Sequence, residues 1–145
     1  MFSLLPPDGL HTFAYDGDEL VSHAVRTIRA AQPEGHPVLR TAYVDAVSTA
    51  PSVQGRGFGS HVLRELARLA DDDGFEIGCL ETDRQGFYAR LGWEEWRGPL
   101  AGREPDGSLV PTPDQTGIMI LRLARTPELD LESLLTIERQ PRRFW

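Results

Sequence analysis

The chain has 145 residues, 40% of them hydrophobic and 26% charged, with a formal net charge of −7; this suits one soluble domain, 1–145, with a sizeable core. The acidic balance argues against a nucleic-acid partner, which would need a basic face, and favours a cationic one. Cys79 is the single cysteine and the four histidines show no ligand spacing, so neither a disulfide nor a metal is expected.

Along the chain, "LHTFAY" reads as a strand, Asp16-Gly17 as a turn and "LVSHAVRTI" as a second strand. "AAQPEGHP" reads as a loop. "VLRTAYVDAVST" is a long strand, with Val44, Ala46 and Ser48 on one face and Tyr43, Asp45 and Val47 on the other. Beyond a glycine-rich turn, Val62, Leu63, Leu66, Leu69 and Ala70 recur at helical spacing, and Asp71-Asp72-Asp73-Gly74 stops that helix. "FEIGCLE" is a short buried strand, "DRQGFYARLG" a brief helix and "WEEWRG" the start of another strand. A loop is expected over 99–117, then an apolar strand at "IMILRL". "TPELDLESLL" predicts a helix capped by Thr126 with Pro127 in its first position. The order of elements is α+β, or mixed α/β. No run is long enough to span a membrane, and "MFSLLPPDGL" lacks a basic signal-peptide start. No membrane partner is expected, and the location implied is cytoplasmic.

The turn "STAPSVQGRGFGSHVLRELARL" carries the strongest chemical signal. Glycines let successive backbone N–H groups converge, and the following helix start adds partial positive charge, so the pair is suited to phosphate. Arg56 adds a side-chain charge. The turn lacks the Lys-Ser/Thr pair of a triphosphate loop, and Ser60 stands where a dinucleotide fingerprint needs its third glycine.

Gln54, Gly57 and Gly59 match Q/R-x-x-G-x-G/A, and "FYARLGW" follows at the expected place. In these features the chain resembles the GCN5-related N-acetyltransferase (GNAT) family. "YVDAVST", "FYARLGW", "WRGP", "PTPD" and the final aromatic are most similar to its aminoglycoside 2′-N-acetyltransferase branch. The resemblance implies a mostly antiparallel twisted sheet splayed around an acetyl-coenzyme A site. The family's first strand and following helices would lie before "LHTFAY", where this sequence has about ten residues.

Backbone groups of Val47 and Thr49 would then pair with the pantetheine arm, and Gln54, Gly55, Arg56, Gly57, Phe58, Gly59 and Ser60 would cradle the pyrophosphate. Acetyl transfer to an amine needs a base, oxyanion donors and an acid for the leaving thiolate. Tyr88 is the candidate acid, since a phenol of pKa about 10 can protonate a thiolate whose acid lies at about 8.5; the alternative is a core aromatic. Asp45 stands where related enzymes carry a glutamate resembling a base that acts through water; the alternative is a carboxylate fixing a strand bulge. Glu81 is the second candidate base or an acceptor contact. Asp114 and the carboxylate of Trp145 resemble parts of an aminoglycoside cradle, with a turn residue and an aromatic plug as the alternatives. No metal is called for. Arg142 and Arg143 run against the aminoglycoside reading, because they put positive charge where a polycation would want negative. Another small amine or a peptide, a non-catalytic acyl-coenzyme A binder, and a nucleotide-binding module are the competing readings, and a homodimer is one option for assembly.

Overall fold

The structure, a computed structural model, describes residues 9–50, 54–55, 57–141 and 143–145. Among these, nine strands form one sheet in the order β5-β8-β4-β3-β2-β9-β6-β7, with β1 also on β2. The first hairpin is β1 (Leu10–Asp16) and β2 (Glu19–Pro33), turning at Gly17. β3 (Leu39–Thr49) pairs antiparallel with β2. The helix α1 (Phe58–Asp72) then crosses over to β4 (Ile77–Glu81), which lies parallel to β3. After the five-residue α2 (Gln85–Ala89), β5 (Glu94–Glu95) and β8 (Ile118–Arg122) finish that side of the sheet. On the other side lie β6 (Leu100–Arg103), β7 (Leu109–Pro111) and β9 (Leu135–Glu138). The expected mixture of α and β, with a mostly antiparallel sheet, is found.

Each face of the sheet has its own core. On one, Val62, Leu63 and Leu66 of α1 pack with Ala14, Val21 and Ala24 of the first hairpin, Val44, Leu80, Tyr88 and Met119. On the other, Tyr43, Ile77, Cys79, Ile118 and Ile120 meet Leu131, Leu135, Ile137 and Trp145 from the end of the chain. Consecutive residues of β4 and β8 therefore serve opposite cores, as strand alternation requires. Leu69, expected in the helix stripe, is only half-buried. The helix stop behaves as expected: Gly74 takes φ 78°, and Phe75 N–H reaches back to the Ala70 carbonyl.

Four expectations are corrected. β2 runs on through "AAQP", because Ala31, Gln32 and Pro33 pair with β9, a partner about a hundred residues away. The expected loop over 99–117 holds the β6–β7 hairpin, which turns at Asp106-Gly107. "TPELDLESLL" is not a helix. Thr126 Oγ1 accepts from Leu123 N–H at 2.7 Å and donates to the Glu76 carbonyl at 2.5 Å, so it clamps the preceding segment instead of capping a following one. Asp130 Oδ1 accepts from Glu132 N–H at 3.0 Å in a local turn, and the chain enters β9 parallel to β6. Finally, Val47 packs with the core on the α1 face, the face of Val44, because an irregularity in β3 resets the alternation.

Burial in the second core pushes the Cys79 thiol up to about 12, from an ordinary value of 9.0. Between these values the unfolded chain binds fewer protons than the folded one, so stability must fall as pH rises. Chemical denaturation across that interval should show this slope, at most about 1.4 kcal/mol per pH unit for one group, and Cys79→Ala should be flatter than the parent. Equal slopes for the two proteins would contradict the burial of an un-ionised thiol.

Candidate active site

β3 and β4 pair at Thr41–Ile77, Ala42–Gly78, Tyr43–Cys79 and Val44–Leu80, and there the pairing ends. On the β2 side the register passes from Val25–Ala46 to Arg26–Val44, leaving Asp45 as an extra residue in the ladder. Such a bulge bends and twists its strand. β3 runs five residues further, to Thr49, with no β4 partner. The two parallel strands thus open into a fork, and Asp45 is the first residue past its apex.

Antiparallel ladders alternate between bonded and non-bonded pairs. Ala50 N–H donates to the Val21 carbonyl at 2.7 Å, so Ser48 faces β2 by the same parity. The main-chain groups of Val47 and Thr49 then point to the opposite edge, into the fork. This is the orientation that pairing with an extended ligand requires. The Thr49 carbonyl also receives the Gln54 side-chain amide at 3.3 Å, which ties the strand end to the glycine turn.

Gly55 and Gly57 hold φ 84° and 86°, and a Cβ at either would meet nothing within 4 Å. Their glycines are therefore required by backbone conformation, and the space in front of them is open. Gly57 caps α1, with no side-chain cap and no acidic residue in the first turn. A helix N-terminus carries partial positive charge, and here no acidic side chain of the first turn offsets it. Gly59 answers a different need: its Cβ would sit 3.2 Å from Thr49 Oγ1 and 3.8 Å from Phe87 Cζ. The absence of a side chain lets β3, α1 and α2 converge. Phe58 and Ser60, in the same turn of helix, are half-buried. Arg56 lies outside the described residues. These features fit a diphosphate group, and the fork beside them fits an extended arm.

Tyr88 lies on the α1 face, buried with Val44, Leu80, Trp93 and Met119. Phe87 and Trp93 meet its ring edge-on, at 5.0 and 6.1 Å between centroids. Burial raises its phenol above the ordinary value, against the opposing charge of Arg84. The shift keeps the phenol un-ionised and also makes it a weaker proton donor than a free phenol.

Asp45 lies toward the opposite face. Its side chain is 8% exposed, and Arg143 from the end of the chain ion-pairs with Oδ1. Thr27 Oγ1 donates to Oδ2 at 2.5 Å. The Arg143 guanidinium stands 5.7 Å from the Tyr43 ring centre, and that of Arg29 at 4.8 Å. Arg29 Nη2 donates to the Glu138 carbonyl at 2.7 Å. Its Nε and Nη1, and Tyr43 Oη, are buried with no hydrogen-bond partner among the described residues. Glu81, the last residue of β4, is exposed and accepts from Gln115 Nε2 at 2.5 Å.

The other expected acceptor residues are spread more widely. Gln115, which was not among them, lines a cleft of about 610 Å³ between residues 95–100 and 111–117, together with Trp96, Arg97 and Thr112. Asp114, in the same loop, is exposed and does not line it. Trp145 is buried in the second core, its indole N–H donating to Thr112 Oγ1 at 3.2 Å. Among the described residues, no group of three His, Cys, Asp or Glu could hold a metal ion. None of the helices described is long and apolar enough to cross a membrane. Sequence reasoning missed Thr27, Arg29 and Tyr43. Tyr43 was within reach, two residues before Asp45 on one strand. Thr27 and Arg29 were not, because their place depends on the register across the bulge.

The family model described as acetyltransferase (GNAT) domain matches residues 9–96, and the chain belongs to that family. A GCN5-related N-acetyltransferase from Kribbella flavida is 28% identical, with a TM-score of 0.56, over 61% of this chain and 22% of that one. The GNAT family N-acetyltransferase YhbS from Escherichia coli, solved with CoA, is 15% identical with a TM-score of 0.61, over 90% of this chain and 67% of its own. A GNAT family acetyltransferase from Brucella melitensis, solved with acetyl-CoA, gives 17%, 0.58, 91% and 66%. The match thus spans less than a quarter of the Kribbella protein, and the likeness to the other two is one of fold.

The left-handed conformation of Gly57 sets a cost for any side chain there. Gly57→Ala should lose about 1–2 kcal/mol of stability, whereas Gly86→Ala, inside α2 with open space around it, should lose none. Urea denaturation compares them, and an unchanged midpoint for Gly57→Ala would contradict the turn described.

Proposed function

We propose that the protein is an acetyl-coenzyme A-dependent N-acetyltransferase acting on an amine. The observation that carries this reading is the fork between β3 and β4 opening directly beside a glycine-led helix start. The bound coenzyme would supply an acetyl group activated as a thioester. Gly55, Gly57, Gly59 and Ser60 would hold its diphosphate by main-chain N–H groups. Gln54 and Phe58 would border that loop, as would Arg56. Val47 and Thr49 would bond the arm along the open edge of β3, and one of their N–H groups would stabilise the oxyanion. Tyr88 would deliver a proton to the departing sulfur from the α1 face.

On the opposite face, Asp45 is proposed as the carboxylate that receives the acceptor's proton, directly or through water, with Glu81 as the second candidate. An aminoglycoside acceptor, held at its 2′-amine by Asp45, Glu81, Asp114 and Trp145, is the reading that the sequence resemblance favours. Only Asp45 and Glu81 of that set stand at the fork. Asp114 is exposed in a loop, and the Trp145 ring is committed to the core. The acceptor is therefore read as a small-molecule or peptide amine.

Acetyl-CoA should raise the melting temperature of the protein, and the shift should keep growing with the logarithm of ligand concentration above Kd. Tyr88→Phe should keep that protection and lose roughly 10²–10⁴-fold in thiol release with an amine acceptor. Full activity in Tyr88→Phe would remove the proposed acid. Protection without thiol release on aminoglycosides, polyamines and short peptides would favour a non-catalytic binder.

A further inference from the structure

We infer that Arg143 occupies the place of the acceptor nitrogen, and that the natural acceptor is a primary amine on a flexible, unbranched arm. This rests on the proposed reading of the fork as the acyl-coenzyme site. The Asp45 carboxylate is more than nine-tenths buried at the apex of that fork, and a cationic group on an aliphatic stem reaches it from outside. Its surroundings form a small site: the carboxylate, the Thr27 hydroxyl, the face of the Tyr43 ring, and a buried Tyr43 Oη with no partner among the described residues. A cation is recognised here by charge and by a ring face together.

The arm that carries Arg143 is held by contacts that do not involve Asp45. Gln140 and Arg143 form a bridge, Phe144 lies under the Arg139 guanidinium at 4.3 Å, and Trp145 is sunk in the core. Arg143 itself is half-exposed, so its side chain can leave while the segment stays. A guanidinium keeps its proton and makes a poor nucleophile, so the chain fills its own site without being consumed. A primary amine in that place would differ. The Asp45 carboxylate holds such an amine as an ammonium, while Arg29, close by on the same ring, and the burial of the site oppose that charge; passing the proton to Asp45 leaves the neutral, nucleophilic amine in place. In the transfer, a nitrogen–carbon bond forms as the carbon–sulfur bond breaks. The nitrogen loses its proton to Asp45 or water, and the sulfur takes one from Tyr88.

The chain contains no lysine, so Arg143→Lys gives an unusually clean experiment. Incubated with acetyl-CoA, this variant should gain one acetyl group at position 143, found by peptide mass spectrometry, and should not do so when Tyr88→Phe is added. A second variant gives a reading without turnover. Arg143→Gln should bind spermidine at least about fivefold more tightly than the parent in calorimetry without coenzyme, because the site is no longer self-occupied. Coenzyme protection without acetylation at 143, or with unchanged spermidine affinity, would overturn the inference and leave the coenzyme site standing. Loss of coenzyme protection in the parent protein would overturn both.

Discussion

One extra residue in one strand organises the site. Asp45 has no place in the β2–β3 ladder, and its insertion bends β3 just where the pairing with β4 ends. A continuous ladder would have satisfied the main-chain groups of Val47 and Thr49 inside the sheet. The bulge leaves them directed into an opening where, among the described residues, no strand pairs with them, and open strand edges are what extended ligands add to. The same insertion resets the alternation, so that Val47 turns to the α1 face while Asp45 keeps company with Tyr43 on the other.

The fork therefore joins two unlike environments. The α1 face offers backbone N–H groups, a helix start and a buried phenol. The opposite face offers a buried carboxylate among guanidinium groups. In the proposed chemistry these are the donor and acceptor sides, and acetyl passes between them through the gap. Much of that opposite face is built by the end of the chain: β9 lengthens the sheet beside β2, and Phe144 and Trp145 anchor the segment that brings Arg143 to Asp45.

The parts legible in the sequence were those set by local physics. The stripe Val62-Leu63-Leu66 and the stop at Gly74 follow from helical periodicity and the left-handed freedom of glycine. The turn at Gly55 and Gly57 is legible for the same reason, and the motif around it led to the right family. What escaped was fixed by distant partners. Ala31 to Pro33 carry turn-like residues and yet form strand, because β9 offers them a ladder. Leu131 and Leu135 sit in a pattern that suits a helix, but the second core and the parallel edge of β6 take them as turn and strand. The hairpin at Asp106-Gly107 did carry a local signal, hidden in a stretch rich in proline and glycine. The pairing of Asp45 with Arg143 joins residues nearly a hundred positions apart, and no local pattern announces it.

The fork and the adjoining helix start are proposed to form one continuous coenzyme site. Backbone amide NMR during titration with coenzyme A tests it most directly. The amides of Val47, Thr49, Gly57, Gly59 and Ser60 should shift together at one affinity, while those of β6 and β7 stay in place. Shifts confined to the cleft between residues 95–100 and 111–117, or none at the glycine turn, would contradict it.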